Sequence, residues 1–235
     1  LKTRIALLLT LCLFAASAHA FVELEGKELS DDRLAVQVRE RIVGAMRVVL
    51  VDAGNDLFQG RMTMLLGPPQ NRITANVLVN ARGDGTIGLI TGRRIDPSGT
   101  TLHTARVTDT TLEITESGPG GETSREIPLE GRAISDPTML WFIRVFPEPG
   151  TRVNYFALDS GFTDIVAKTA EYVGPEIITI NGREVRTHLI RTTTAGGQRR
   201  SAYWRTDRGE TVQMQIIEGP VEMNLVQIPR QADSR

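Results

Sequence analysis

Ile177-Ile178-Thr179-Ile180-Asn181-Gly182-Arg183-Glu184-Val185 is the stretch that decides the fold. Asn181-Gly182 stands between an apolar run and the alternating segment Glu184–Ile190. Asn and Gly accept the positive φ that a tight two-residue hairpin demands at both central positions. The segment predicts two antiparallel strands, and the same grammar repeats on both sides of it. Downstream, Val212, Met214 and Ile216 alternate with Thr211, Gln213 and Gln215, and Val221, Met223 and Leu225 alternate with Glu222 and Asn224. Upstream, Phe58, Met62, Met64 and Leu66 share one face, with Arg61 and Thr63 on the other. Ile73, Ala75, Val77 and Val79 alternate with Thr74, Asn76 and Asn80. A period of two is the mark of half-buried antiparallel strands.

Turn chemistry separates the runs. Gly83-Asp84-Gly85, Pro97-Ser98-Gly99, Gly118-Pro119-Gly120-Gly121, Ala195-Gly196-Gly197, Asp207-Arg208-Gly209 and Gly219-Pro220 recur at the spacing of a meander, sandwich or barrel. One segment breaks the rhythm. Asp136-Pro137-Thr138-Met139-Leu140-Trp141-Phe142-Ile143-Arg144-Val145-Phe146 does not alternate. Ser135 or Asp136 is a capping residue, Pro137 suits a first turn and Pro147 a stop, so a short buried helix is predicted near 136–146. It joins two β-rich stretches, about 35–133 and 150–229. Glu23 to Arg33 is polar and charged and reads either as a flexible entry segment or as a lead-in to the first strand. Asp31 to Val43 reads as strand rather than helix because Val36 and Val38 alternate. The expected fold is mainly β: one domain over 21–235, a large curved antiparallel sheet or half-barrel with the helix packed on its concave side. A two-sheet sandwich is the alternative.

Residues 1–20 carry an address. Lys2 and Arg4 precede the apolar run Ile5 to Ala16, and Ala18-His19-Ala20 forms a small-x-small cleavage site. This is the three-part pattern of a secretory signal peptide, and it predicts export to the periplasm or full secretion. Leu1 reads either as a non-standard start codon or as the end of a truncated chain. Cys12, the single cysteine, falls within the signal. Leu11 stands where lipid attachment at Cys12 needs a small residue. The mature chain therefore has no disulfide framework. No later apolar run is long enough to cross a membrane. The formal net charge of −1 argues against nucleic-acid binding, and 5% aromatic content argues against base-stacking platforms.

Three pieces of sequence carry a resemblance. Ile127-Pro128-Leu129 leads into Asp136-Pro137. Asn181-Gly182-Arg183-Glu184-Val185 is a hairpin. Trp204-Arg205-Thr206-Asp207-Arg208-Gly209-Glu210 is followed by Met214 and by Met223-Asn224-Leu225-Val226. Together they resemble poorly characterised bacterial envelope β-proteins built from long antiparallel hairpins. These are similar in architecture to the half-barrels of the lipoprotein carriers and acceptors LolA and LolB. The resemblance implies a lipid, a lipoprotein or another envelope protein as partner, and brings no functional residue with it.

Chemistry is sparse. After residue 20 the histidines are His103 and His188. Asp159-Ser160-Gly161 could join one of them, but no Gly-x-Ser-x-Gly elbow accompanies it. Two isolated histidines match no zinc spacing, and Gly118–Gly121 lacks the Lys-Ser/Thr of a phosphate loop. No catalytic, metal or cofactor residue is assigned. Arg199, Arg200, Arg205 and Arg208 form the densest basic cluster. It reads either as a site for an anionic partner or as an exposed hairpin paired to Glu210 and its neighbours. Phe58, Met62, Met64, Met214 and Met223 fall on apolar strand faces. They read as ligand-lining residues of an adaptable surface or as plain core. The expectation is a non-enzymatic envelope protein that binds a hydrophobic or amphipathic ligand. A structural or protein-interaction module, and a hydrolase of an envelope polymer, are the alternatives.

Overall fold

The computed structural model describes residues 22–228, and the signal-peptide reading of residues 1–20 lies outside them. Its strands are β1 (Lys27–Val38), β2 (Arg41–Gly54), β3 (Leu57–Leu66), β4 (Ile73–Arg82), β5 (Ile87–Asp96), β6 (Gly99–Val107), β7 (Thr111–Gly118), β8 (Gly121–Pro128), β9 (Arg152–Leu158), β10 (Ile165–Ile180), β11 (Arg183–Thr194), β12 (Arg199–Arg205), β13 (Thr211–Glu218) and β14 (Val221–Gln227). All belong to one 14-stranded sheet in the order β8-β7-β6-β5-β4-β3-β2-β1-β14-β13-β12-β11-β10-β9. Each strand is antiparallel to its sequence neighbour except across one gap, between β8 and β9. Asn181, with φ of 51°, and Gly182, with φ of 76°, form the two-residue turn that their sequence specifies.

β1 pairs on one side with β2 and on the other with β14, so Val36 lies opposite both Gly44 and Leu225. This places the first and last strands at the middle of the sheet and leaves β8 and β9 as its two edges. The edges do not pair, and the sheet is not a hydrogen-bonded barrel. The chain between them, residues 129–151, fills the gap instead. Ser135 donates its backbone N–H to Phe156 at 2.8 Å, and Ile87 donates to Ile134 at 2.8 Å. Leu112, Ile114, Leu129, Ile134, Leu158 and Ile165 pack along the seam. Register shifts at Glu28/Ser30, Asp52/Gly54, Asn80/Ala81 and Trp204/Arg205 are the bulges that let so wide a sheet curl.

The helix expected near 136–146 does not form. The segment is a run of tight turns: Met139 N–H reaches the Asp136 carbonyl and Trp141 N–H the Thr138 carbonyl, each at 3.2 Å, and Phe142 takes a left-handed φ of 64°. The reason lies in its side chains. Leu140, Trp141 and Phe142 are consecutive and all buried, whereas a helix would point successive residues about 100° apart and bury one face. The capping chemistry survives without the helix, because Asp136 Oδ1 accepts from Thr138 N–H at 3.0 Å and from its hydroxyl at 2.7 Å. Among the described residues the only helical element is a single 3-10 turn, Pro69–Asn71.

Of the two readings of the polar segment 23–33, the lead-in to the first strand is the one the structure has. β1 begins at Lys27. The chain before it is tied to β3: Leu24 N–H donates to Gln59 Oε1 at 3.0 Å, and Gln59 Nε2 donates to the Val22 carbonyl at 3.0 Å.

Strand alternation sends the turns to opposite ends of the curl. The 83–86 and 206–210 turns share one end with the crossing segment. There a Cβ on Gly85 would lie 2.8 Å from the Asp136 carbonyl, and one on Gly209 would strike Ile143. The 39–40, 67–72, 159–164, 195–198 and 219–220 turns lie at the other end.

Candidate functional site

The concave face of the sheet encloses a cavity of about 450 Å³, within the range of small-molecule pockets. Its walls differ in chemistry. On β2–β5 the lining is apolar apart from Arg61: Val48, Met62, Val77, Val79, Ile87 and Ile90. On β10–β12 it is polar and cationic: Lys168, Thr192, Thr194, Arg199, Ser201 and Tyr203. Met139 and Ile143 of the crossing segment close one side, with Asp32, Arg205 and Thr211 nearby. Asp159, Ser160, Lys168, Thr194 and Arg199 also line a second recess of about 470 Å³, which runs to Gln198 and Gly219 in the turns of the other end.

The deep polar group fastens the crossing segment. Arg205 is half-buried, with its Nε fully enclosed, and donates from Nη1 to the Thr138 carbonyl at 2.6 Å and to the Trp141 carbonyl at 3.4 Å. Burial works against its charge, and Asp136, Tyr203 and Asp32 oppose that effect. Asp32 Oδ2 accepts from Thr211 N–H at 2.9 Å. Burial pushes the Asp32 carboxyl up to about 6, against the pull of the Thr211 hydrogen bonds and the Arg205 charge. Asp32 Oδ1 and Arg205 Nε are buried without a protein partner. Burial also raises the Tyr155 phenol. The Lys168 ammonium is held below the usual lysine range by burial first and by Arg199 second, with Asp136 and Asp159 pulling the other way.

The sequence-selected residues divide. Met62 lines the cavity. Met64, Met214 and Met223 pack, half-buried, with Leu34, Val36, Met46 and Leu225 in one apolar cluster, adjoining the cavity rather than lining it. Phe58 is fully buried against Leu50 and Leu140, with the Arg144 guanidinium 5.0 Å from its ring centroid, so it is core and not lining. Of the arginines, Arg199 and Arg205 face inward, whereas Arg200 and Arg208 are exposed. For the first pair the exposure in the hairpin reading does not hold, because β12 turns that face into the curl, while its cross-strand pairing does hold for Arg199, which lies opposite Glu218. Arg199 lies 3.9 Å from Glu218, not on Glu210.

His188 lies between Tyr172 and Asp207: the Tyr172 hydroxyl is 2.7 Å from Nδ1, and Asp207 Oδ1 is 2.6 Å from Nε2. Its ring stacks on Phe142 at 4.1 Å. His103 stacks on Phe162 at 4.9 Å and lies 3.7 Å from Glu116. No serine bonds either ring among the described residues. Asp159 accepts from Thr163 and Asp164 within its own turn. Among the described residues no cluster of three or more His, Cys, Asp or Glu could hold a metal, and no helix is long and apolar enough to cross a membrane.

Asp32 and Lys168 escaped the sequence reading, yet a signal was present. Each is a single charge at an inward position of an otherwise apolar alternation: Asp32 before Leu34 and Val36, Lys168 between Val166 and Ala170.

Fold and cavity define an open β-barrel-like protein with an amphipathic interior. The chain is similar to the crystal structure of a β-barrel-like protein of the domain of unknown function DUF1849 from Brucella abortus, with a TM-score of 0.56 and 10% identity over 84% of this chain and 94% of that one. The likeness is one of fold. It supports the half-barrel architecture expected from the hairpins and shows no relationship to LolA or LolB. No family model and no curated protein matches the sequence.

Proposed function

We propose that this is an exported envelope protein that holds a hydrophobic or amphipathic ligand, a lipid or an acyl chain, inside its curled sheet, and that it does so without catalysis. The observation that carries this reading is the cavity of about 450 Å³ with one apolar and one polar wall. A core built only for stability fills with interdigitating side chains at crystal-like density. Here Val48, Met62, Val77, Val79 and Ile90 face open space. The methionine cluster beside them supplies flexible side chains that adapt to a ligand of variable shape. The bonds of His188 to Tyr172 and Asp207, and its stacking on Phe142, suit a fastening of the crossing segment.

The test is organic extraction of the natively purified protein, followed by mass spectrometry. The expected result is a lipid or other amphiphile in near-stoichiometric amount. An empty extract, together with no binding of an uncharged apolar dye such as N-phenyl-1-naphthylamine, would overturn the reading. The export part is tested by fusing residues 1–20 to a reporter active only outside the cytoplasm.

A further inference from the structure

Charge is not spread evenly over the lining of the cavity. Lys168 lies opposite Tyr155 on one side and Thr194 on the other. Thr194 is joined to Arg199, whose N–H donates to Thr194 Oγ1 at 3.1 Å. One row across β9–β12 thus sets a lysine and an arginine on the same inward face, two strands apart. Strand spacing puts their backbones about 10 Å apart, a gap that two long side chains can close upon one ligand group. Both residues line the cavity and also the recess that leads to the 195–198 and 219–220 turns, so they stand where the two spaces meet.

The acids around them are committed elsewhere. Asp159 is bound by Thr163 and Asp164. Asp136 is bound by Thr138. Asp32 serves Thr211. Glu218 is the exception: exposed, it pairs with Arg199 at 3.9 Å across β12 and β13 and does not reach Lys168. The Lys168 ammonium has neither a hydrogen bond nor an ion pair among the described residues. A half-buried ammonium beside a guanidinium is costly unless an anion meets it. Charge-assisted bonds from both cations to one oxyanion would relieve that cost. On the β2–β5 wall across the cavity the one charged residue, Arg61, is already bonded to Glu23, Gln59 and the Leu24 carbonyl, and the rest of that wall is built for hydrocarbon.

We infer that Lys168 and Arg199 hold the anionic headgroup, a carboxylate or phosphate, of an amphiphile whose hydrocarbon tail lies against Val48, Met62, Val77, Val79 and Ile90. This rests on the ligand-holding reading above and names its chemical class. The headgroup sits at the junction with the outer recess, and the tail points inward toward Met139.

The test uses cis-parinaric acid, its methyl ester and inorganic phosphate as probes, against the wild type and the double variant Lys168→Gln/Arg199→Gln. Acid and ester share a tail and differ in charge. The wild type is expected to bind the acid at least tenfold more tightly than the ester. The double variant should lose that preference and keep its affinity for the ester. Lys168→Arg, which retains the charge, should retain the preference. Equal binding of acid and ester by the wild type would overturn the headgroup site and leave the apolar cavity standing. Binding of neither probe would overturn both readings. Displacement of the acid by millimolar inorganic phosphate would show a site for small free anions and overturn the amphiphile. Retained ester binding in the double variant shows that it folds. A double variant that binds neither probe is replaced by the single variant Lys168→Gln, for which the same loss of preference is required.

Discussion

The Arg205 guanidinium donates to the Thr138 carbonyl at 2.6 Å across 67 positions of chain. A strand of the C-terminal half thereby grips the segment that bridges the two free edges of the sheet. Because Arg205 also contacts the Trp141 carbonyl, one side chain fastens two points of the same crossing.

Arg205→Ala removes that grip and leaves two carbonyls without their donor. Losing hydrogen bonds made by a charged group costs about 1.5–3 kcal/mol. Urea unfolding should show a loss of that size. Arg205→Lys should recover only part of it, since an ammonium lacks the planar fork. A loss below about 0.5 kcal/mol, the size of an ordinary surface substitution, would show that the segment is held by its apolar side chains alone.

Asp32 predicts that stability rises on mild acidification. Its folded carboxyl titrates near 6, against 3.8 for the free group, so the folded state takes up the proton first. The destabilisation is fully present above pH 6 and is relieved as pH falls through 6 toward 3.8. The two values give a total of about 3 kcal/mol at most. Asp32→Asn should be more stable than the wild type at pH 7 and should flatten this part of the profile. A wild-type stability that is level from pH 7 to 5 would refute it.

Tyr172→Phe deletes the hydroxyl that meets His188 Nδ1 at 2.7 Å and keeps the ring against Phe142. The cost should be about 1 kcal/mol, the net worth of one hydrogen bond, read as a shift in the denaturation midpoint. A loss of several kcal/mol would mean that the hydroxyl anchors the whole crossing segment.

Gly85→Ala tests the capped end. Gly85 has φ of +86°, and an added Cβ would meet the Asp136 carbonyl at 2.8 Å and Pro137 Cα at 3.1 Å. Left-handed backbone costs a non-glycine residue about 1–2 kcal/mol before any clash. Hydrogen exchange at Ile87 N–H, which is bonded to Ile134, should accelerate along with the loss. Unchanged exchange would place the crossing segment outside the influence of this turn.

Val79→Phe should fill part of the cavity. Binding of N-phenyl-1-naphthylamine is expected to weaken at least fivefold, while the extra volume enters existing space and the thermal midpoint stays within a few degrees. A large drop in the midpoint with unchanged dye binding would locate the dye elsewhere.

Much of the fold is local, and local features are legible. Asn181-Gly182 turns where its φ preferences demand, and the alternations at 73–79 and 212–216 are strands at those positions. The 136–146 segment misled because Asp136 and Pro137 are sound capping residues whose chemistry also serves a chain of turns. The candidate site was only partly visible. Met62 and Arg199 were within reach of pattern reading, whereas Phe58 shows the same alternation and ends in the core under Leu140.

The sequence by itself determined that this is a β-protein of long antiparallel hairpins, where most of its turns fall and which faces are apolar. Period-two patterning and turn stereochemistry act over a few residues. Tertiary structure alone decided that β1 meets β14, that β8 and β9 become facing edges bridged by 129–151, and that Lys168 and Arg199 look across a cavity at Val77 and Val79. Those relationships depend on how far a sheet of 14 strands curls. That is a sum of twist and bulges over the whole chain, and no single segment encodes it.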